Sequence, residues 1–74
     1  MNPAATQSTD AVVCANVARL MDERGVTLED FEAGMGWSKT TSWRKRTQKV
    51  TWKFREVERA ARVLGVDLPE VIGA

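Results

Sequence analysis

Lys39, Arg44, Lys45, Arg46 and Lys49 fall within the single stretch Ser38–Lys49, SKTTSWRKRTQK, and no acidic residue interrupts them. Short hydroxylic residues come first, at Ser38, Thr40, Thr41 and Ser42, and Trp43 sits in the middle. Arginine and lysine meet phosphates or the edges of guanine, while small hydroxyls reach bases or backbone without crowding. Ser38 is a good N-cap, so the stretch reads as a short helix whose first turn carries Lys39, Thr40 and Thr41. Such a helix suits insertion into a groove of DNA. The plainer reading is a solvated basic face, and the surrounding sequence has to decide between them.

Other chemistry is poorly supplied. There is no histidine, and Cys14 is the one cysteine. An internal disulfide and a Cys/His zinc site are thereby excluded, and the commonest general base is missing. Glu29, Asp30 and Glu32 lie close together, but acids there favour a helix N-terminus and read as a solvated face rather than an acid–base pair. Cys14 falls on an apolar stripe and reads as a small core residue. We therefore expect no enzyme: no catalytic residue, cofactor, metal or small-molecule substrate.

The formal net charge of +1 conceals a division. Residues 1–37 hold two basic residues against six acidic ones, and residues 38–74 hold nine basic against four acidic. From Ser38 to Arg55 there are seven positive residues and no negative ones. That asymmetry points to a polyanionic partner met by one side of the molecule.

The elements that must position this stretch follow from length and periodicity. Seventy-four residues allow one domain whose core is nearly all helix-to-helix packing, and a hydrophobic fraction of 43% is that of a globular protein. No apolar run approaches a membrane span and the N-terminus lacks a signal-peptide pattern, which sets the expectation of a cytoplasmic protein away from membranes. Residues 1–9, small and polar with Pro3, read as a flexible tail before a domain over 10–74. Ser8, Thr9 or Asp10 can cap a first helix, Ala11–Arg24, whose Val13, Val17, Leu20 and Met21 keep helical spacing, and Gly25 ends it.

Thr27 caps a second helix, Leu28–Met35, with Asp30 completing the capping-box pattern and Leu28, Phe31 and Met35 forming the apolar face. Gly34 weakens its last turn, Gly36 ends it, and Trp37 docks the turn before Ser38 onto the core. Thr51 is the expected cap of a helix running to about Leu64, with Phe54, Val57, Ala60, Ala61 and Leu64 turned inward. After Gly65, Asp67 caps a last turn over Leu68–Ile72, with Pro69 in its first turn. Phe54, Val57, Leu64, Leu20 and Phe31 should share one core. The predicted fold is all-α, a compact bundle of about five short helices with a central helix-turn-helix. Trp52 either covers the core near the connection after the basic helix or stays exposed for self-association.

The run Val17–Ile72 resembles the lambda-repressor-like helix-turn-helix domains of the Xre/Cro type, found in phage repressors and small bacterial regulators. The likeness rests on Leu20, on the Glu23-Arg24-Gly25 turn, and on Thr27-Leu28-Glu29-Asp30-Phe31 opening the second helix. Met35-Gly36-Trp37-Ser38 matches the turn of that family, and Thr41 and Arg44 fall at favoured places in its recognition helix. Ala61-Arg62-Val63-Leu64-Gly65-Val66-Asp67-Leu68-Pro69-Glu70 resembles its closing segment. Leu28 departs from the Gln usual there, Glu32 from a small residue, and Ser42 and Lys45 from buried aliphatics. Two arrangements accommodate the last pair. Trp43 turns inward and shifts the register, or Ser42 is buried and Trp43 faces DNA.

The resemblance implies base-edge contacts from Lys39, Thr40 and Arg44, and from Trp43 toward a thymine methyl. It implies backbone contacts from Thr27, Ser38, Thr41, Lys45, Arg46, Lys49 and Lys53; Lys53 and Arg55 read equally well as plain surface charge. The implied function is sequence-specific double-stranded DNA binding and transcriptional regulation, of repressor or Cro-like character. The recognition helix, about residues 38–46, would lie in the major groove, and a homodimer would occupy an inverted-repeat operator on the nucleoid of a bacterial or phage-infected cell. The alternative is a protein-interaction module of the same fold, an antitoxin or a modulator of another regulator, with little DNA binding of its own.

Overall fold

The structure is a computed structural model and describes residues 9–73. Five helices follow one another: α1 (Thr9–Arg24), α2 (Leu28–Met35), α3 (Lys39–Arg46), α4 (Phe54–Leu64) and α5 (Leu68–Ile72). Among the described residues there is no strand, and no helix is long and apolar enough to cross a membrane. The chain is the expected all-α bundle around a central helix-turn-helix. Of the predicted tail, residues 1–8 lie outside the described residues, as does the candidate cap Ser8. Thr9 is already helical, so α1 begins two residues before Ala11.

The core is assembled from four helices and one loop residue. α1 contributes Val13, Val17 and Leu20, α2 contributes Phe31 and Met35, α4 contributes Val57, Ala60, Ala61 and Leu64, and α5 contributes Val71. α4 is the hub, with α1, α2 and α5 packed on it and α5 also against α1. Asn16 ties the last pair, its Nδ2 donating to the carbonyls of Val71 and Gly73, both at 2.7 Å. α2 meets α4 closely at Gly34, where a Cβ would stand 2.8 Å from Val63 Cγ2. The glycine read as weakening α2 is therefore also what lets α4 approach it.

Two expectations about α4 are corrected. Its cap is Lys53 and not Thr51: the Glu56 carboxylate reaches back to the Lys53 N–H at 2.7 Å, so the helix starts where its third residue can serve that donor. The Thr51 carbonyl is used by Lys45 instead. Phe54, expected in the core, is 62% exposed. It occupies the first helical position, where side chains lean back beyond the helix end rather than over the bundle. Trp52 provides the aromatic cover in its place, 6% exposed and edge-to-face with Trp37 at 5.1 Å.

Four helices end in the same reverse turn, closed by a residue in the left-handed region. Gly25, Gly36 and Gly65 hold that place after α1, α2 and α4. After α3 it is held by Gln48, φ 63°, with Lys49 N–H donating to the Arg44 carbonyl at 2.8 Å. A side chain there is strained by about 1–2 kcal/mol, partly offset by the greater entropy a glycine loses on folding. Gln48→Gly should therefore stabilise the domain by about 0.5–1 kcal/mol and raise the melting temperature by a few degrees. Thermal unfolding followed by circular dichroism checks this, and a lowered midpoint would contradict the strained turn.

Candidate nucleic-acid interface

α2 and α3 are joined by a turn whose local chemistry is closed on itself. Thr27 Oγ1 accepts from Asp30 N–H at 3.1 Å, capping α2, and Ser38 Oγ accepts from Thr41 N–H at 3.1 Å, capping α3. Gly36 reverses the chain in the left-handed region. Trp37 packs edge-to-face on Phe31 at 6.0 Å, so the residue before the α3 cap is anchored to the core of α2. Glu32, expected on a solvated face, is instead 7% exposed, and its carboxylate lies 3.6 Å from Lys39 Nζ on the next helix. The Glu32 carbonyl also accepts from Trp37 N–H at 3.0 Å, in the turn that leads to α3. Leu28, expected on the apolar face, is 37% exposed.

The inward face of α3 contains no apolar side chain. Its buried residues are Ser42 and Lys45. Of the two arrangements open from the sequence, the one with Ser42 inside is observed: Ser42 is fully buried and Trp43 is 51% exposed. Ser42 Oγ accepts from Arg46 Nε at 3.0 Å, so its burial leaves no unmet hydroxyl. Lys45, expected among the cations on the phosphate side, is corrected. Its ammonium turns into the protein and donates to Glu56 Oε1 at 2.7 Å and to the Thr51 carbonyl at 2.8 Å. A long lysine stem can replace a buried aliphatic residue when its head finds a carboxylate.

That carboxylate is held in its charged form. Burial alone would raise Glu56, but the Lys45 ammonium and the Lys53 N–H together hold it below its ordinary value. The Lys45 carbonyl, near the negative end of α3, accepts from Trp52 Nε1 at 3.0 Å and from Cys14 Sγ at 3.1 Å. Asp10 Oδ1 in turn accepts from Trp52 N–H at 3.1 Å. Burial pushes the Cys14 thiol up, which keeps it a neutral donor. α3 is thus fixed to α1, to α4 and to the connection between α3 and α4 chiefly through polar contacts.

What this leaves outside is a coherent face. Thr40, Trp43 and Arg44 are all exposed and share one side of α3, three and four residues apart. Lys39 stands at the helix start with its side chain 82% exposed, and Thr41 is half-buried beside the cap. Thr47, not singled out from the sequence, extends the same face; its hydroxyl donates to the Trp43 carbonyl at 2.6 Å. Its spacing of seven from Thr40 was the available signal. Arg46 is half-buried, and Lys49 and Lys53 are exposed on the connection to α4. A helix presenting hydroxyls, an indole and a guanidinium, flanked by exposed cations, has the groups that read base edges and meet phosphates.

Comparison with protein families matches the Cro/C1-type HTH DNA-binding domain over residues 16–74. The chain belongs to this family. No curated protein and no solved structure matches it. The Cro/C1-type domain binds double-stranded DNA, and its helix-turn-helix is here the pair α2 and α3. Its matched region spans all of α2 through α5 and the second half of α1, so the core that seats α3 lies largely within it.

Proposed function

We propose that this Cro/C1-type domain is a sequence-specific transcriptional regulator of repressor or Cro-like character, acting on duplex DNA in the cytoplasm with α3 in the major groove. The observation that carries the reading is the division of α3: Ser42 and Lys45 face in, while Thr40, Trp43 and Arg44 face out. Lys39, Thr40, Trp43 and Arg44 contact base edges, with Thr47 extending their row. Thr27, Ser38, Thr41, Arg46, Lys49 and Lys53 contact the backbone, the first two through the free amides at their helix N-termini. Two copies occupy an inverted repeat with half-site centres about one helical turn apart.

The test is a selected duplex, scanned base by base with wild type and Arg44→Ala. If Arg44 grips a guanine through O6 and N7, its loss costs about 1–3 kcal/mol at one base pair and relaxes preference there. A uniform loss at every position would make Arg44 a phosphate clamp instead. Affinity should also fall steeply with salt, the log–log slope being about −0.9 per phosphate contacted, and Lys49→Ala should flatten that slope by about one.

A second reading is favoured by the exposure of Phe54 at 62% and Trp43 at 51%, large aromatic surfaces without cover. It makes the domain a protein-interaction module, an antitoxin or a modulator of another regulator. Salt-independent or absent duplex binding would select it.

A further inference from the structure

An open pocket of about 340 Å³ lies between α1, the start of α2, Arg46 of α3 and Trp52, in the size range of small-ligand sites. Val17, Ala18 and Met21 of α1 line it together with Leu28 and Trp52, and Arg46 is the one charged residue in its lining. We propose that this groove binds a small monocarboxylic acid with an apolar body, the carboxylate held by Arg46. The Arg46 side chain is already oriented, because its Nε donates to Ser42 Oγ at 3.0 Å. No carboxylate of the described residues pairs with it within 4.0 Å, and Arg46 lines the groove. Leu28, the first residue of α2, is 37% exposed and presents apolar surface to the same space.

The lining selects the ligand class. One guanidinium beside apolar walls matches one carboxylate on a hydrocarbon body. A polyanion would leave most of its charge against carbon, and a neutral apolar molecule would leave the guanidinium without an acceptor. Regulation follows from Arg46 itself, and this step rests on the DNA-binding reading given above. A guanidinium that grips the acid no longer neutralises a phosphate, so acid and duplex oppose each other's binding.

Octanoate is the probe, with octanamide as its uncharged counterpart, and the full chain is observed without DNA by methyl NMR. Octanoate should shift the Val17, Met21 and Leu28 methyls saturably, with a dissociation constant on the order of 1 mM. Arg46→Gln should weaken octanoate about fivefold and leave octanamide unchanged. Ala18→Phe, a substitution at an exposed position, should fill the groove and abolish the shifts, while unchanged Val57 and Val71 methyl signals report an intact core. Leu28→Gln is the second variant and should weaken both probes.

The site is overturned by the absence of saturable shifts, by shifts that survive Ala18→Phe, or by equal affinity for the two probes. Concentration-dependent shifts of the same methyls without any probe, with a dimer in sedimentation, would make a second copy the occupant and overturn it too. With duplex present, octanoate should raise the apparent Kd of wild type and not of Arg46→Gln; an unmoved Kd overturns the regulatory step. Failure of the DNA-binding reading is distinguishable, since it appears as no duplex binding before octanoate is added.

Discussion

Phe31→Ala is expected to lower the stability of the domain by about 3–5 kcal/mol. Phe31 is fully buried in α2 and is the first member of an aromatic stack. Trp37 packs on it at 6.0 Å and Trp52 packs on Trp37 at 5.1 Å, so the cavity would open beneath the turn that seats α3. At about 0.05–0.15 kcal/mol per residue, a chain of 74 residues holds about 4–11 kcal/mol in total. Loss on that scale leaves a large unfolded fraction, and the remaining folded molecules lose the anchor of the α3 cap. Urea unfolding followed by far-UV circular dichroism measures it. Phe54→Ala is the control, since Phe54 is 62% exposed and its removal should change stability by only about 0.5 kcal/mol. Equal effects from the two substitutions would mean that the inward face of α2 is misassigned.

The second large effect concerns the ion pair under α3. Glu56→Ala should cost about 3 kcal/mol at neutral pH, because it strands the Lys45 ammonium, whose side chain is only 9% exposed. The Thr51 carbonyl remains as its one partner. Lys45→Met combined with Glu56→Ala should recover part of the loss, the stranded charge having been removed. The pH dependence has a definite sign. Glu56 is held below its ordinary value of 4.5, so its contribution is present above that value and disappears as pH falls through the lowered one. The stability gap between wild type and Glu56→Ala should therefore be full at pH 7 and shrink in strongly acidic solution. A gap of constant size across that range would assign the effect to packing and not to charge.

Much of this arrangement was legible because it depends on neighbours within one or two turns. The caps Thr27 and Ser38 work through amides three residues away, so their residue types alone display them. Gly25, Gly36 and Gly65 end helices because the turn needs a left-handed residue at that place. Gln48 does the same for α3 and gave no such signal, since its side chain does not advertise that conformation. The misplaced start of α4 has a similar origin. Thr51 and Lys53 stand two residues apart, and the choice fell to Glu56 and to a lysine from another helix.

The amino-acid order by itself determined the five helices, the turn between α2 and α3, the basic run from Ser38 and the division of charge along the chain. Each is a property of local spacing and composition. Only the tertiary structure decided which side of α3 faces out. Ser42 and Trp43 are adjacent, and the spacing along α3 allows either to face the bundle; the outcome depended on contacts with α1, α4 and Trp52. The Cys14 thiol reaches the Lys45 carbonyl from 31 residues away, and Asp10 accepts from Trp52 across 42. The same holds for Lys45, whose flexible stem suits water and core alike. Its charge points inward because Glu56 and the Thr51 carbonyl are there to receive it, at distances of 2.7 and 2.8 Å that no spacing along the chain specifies.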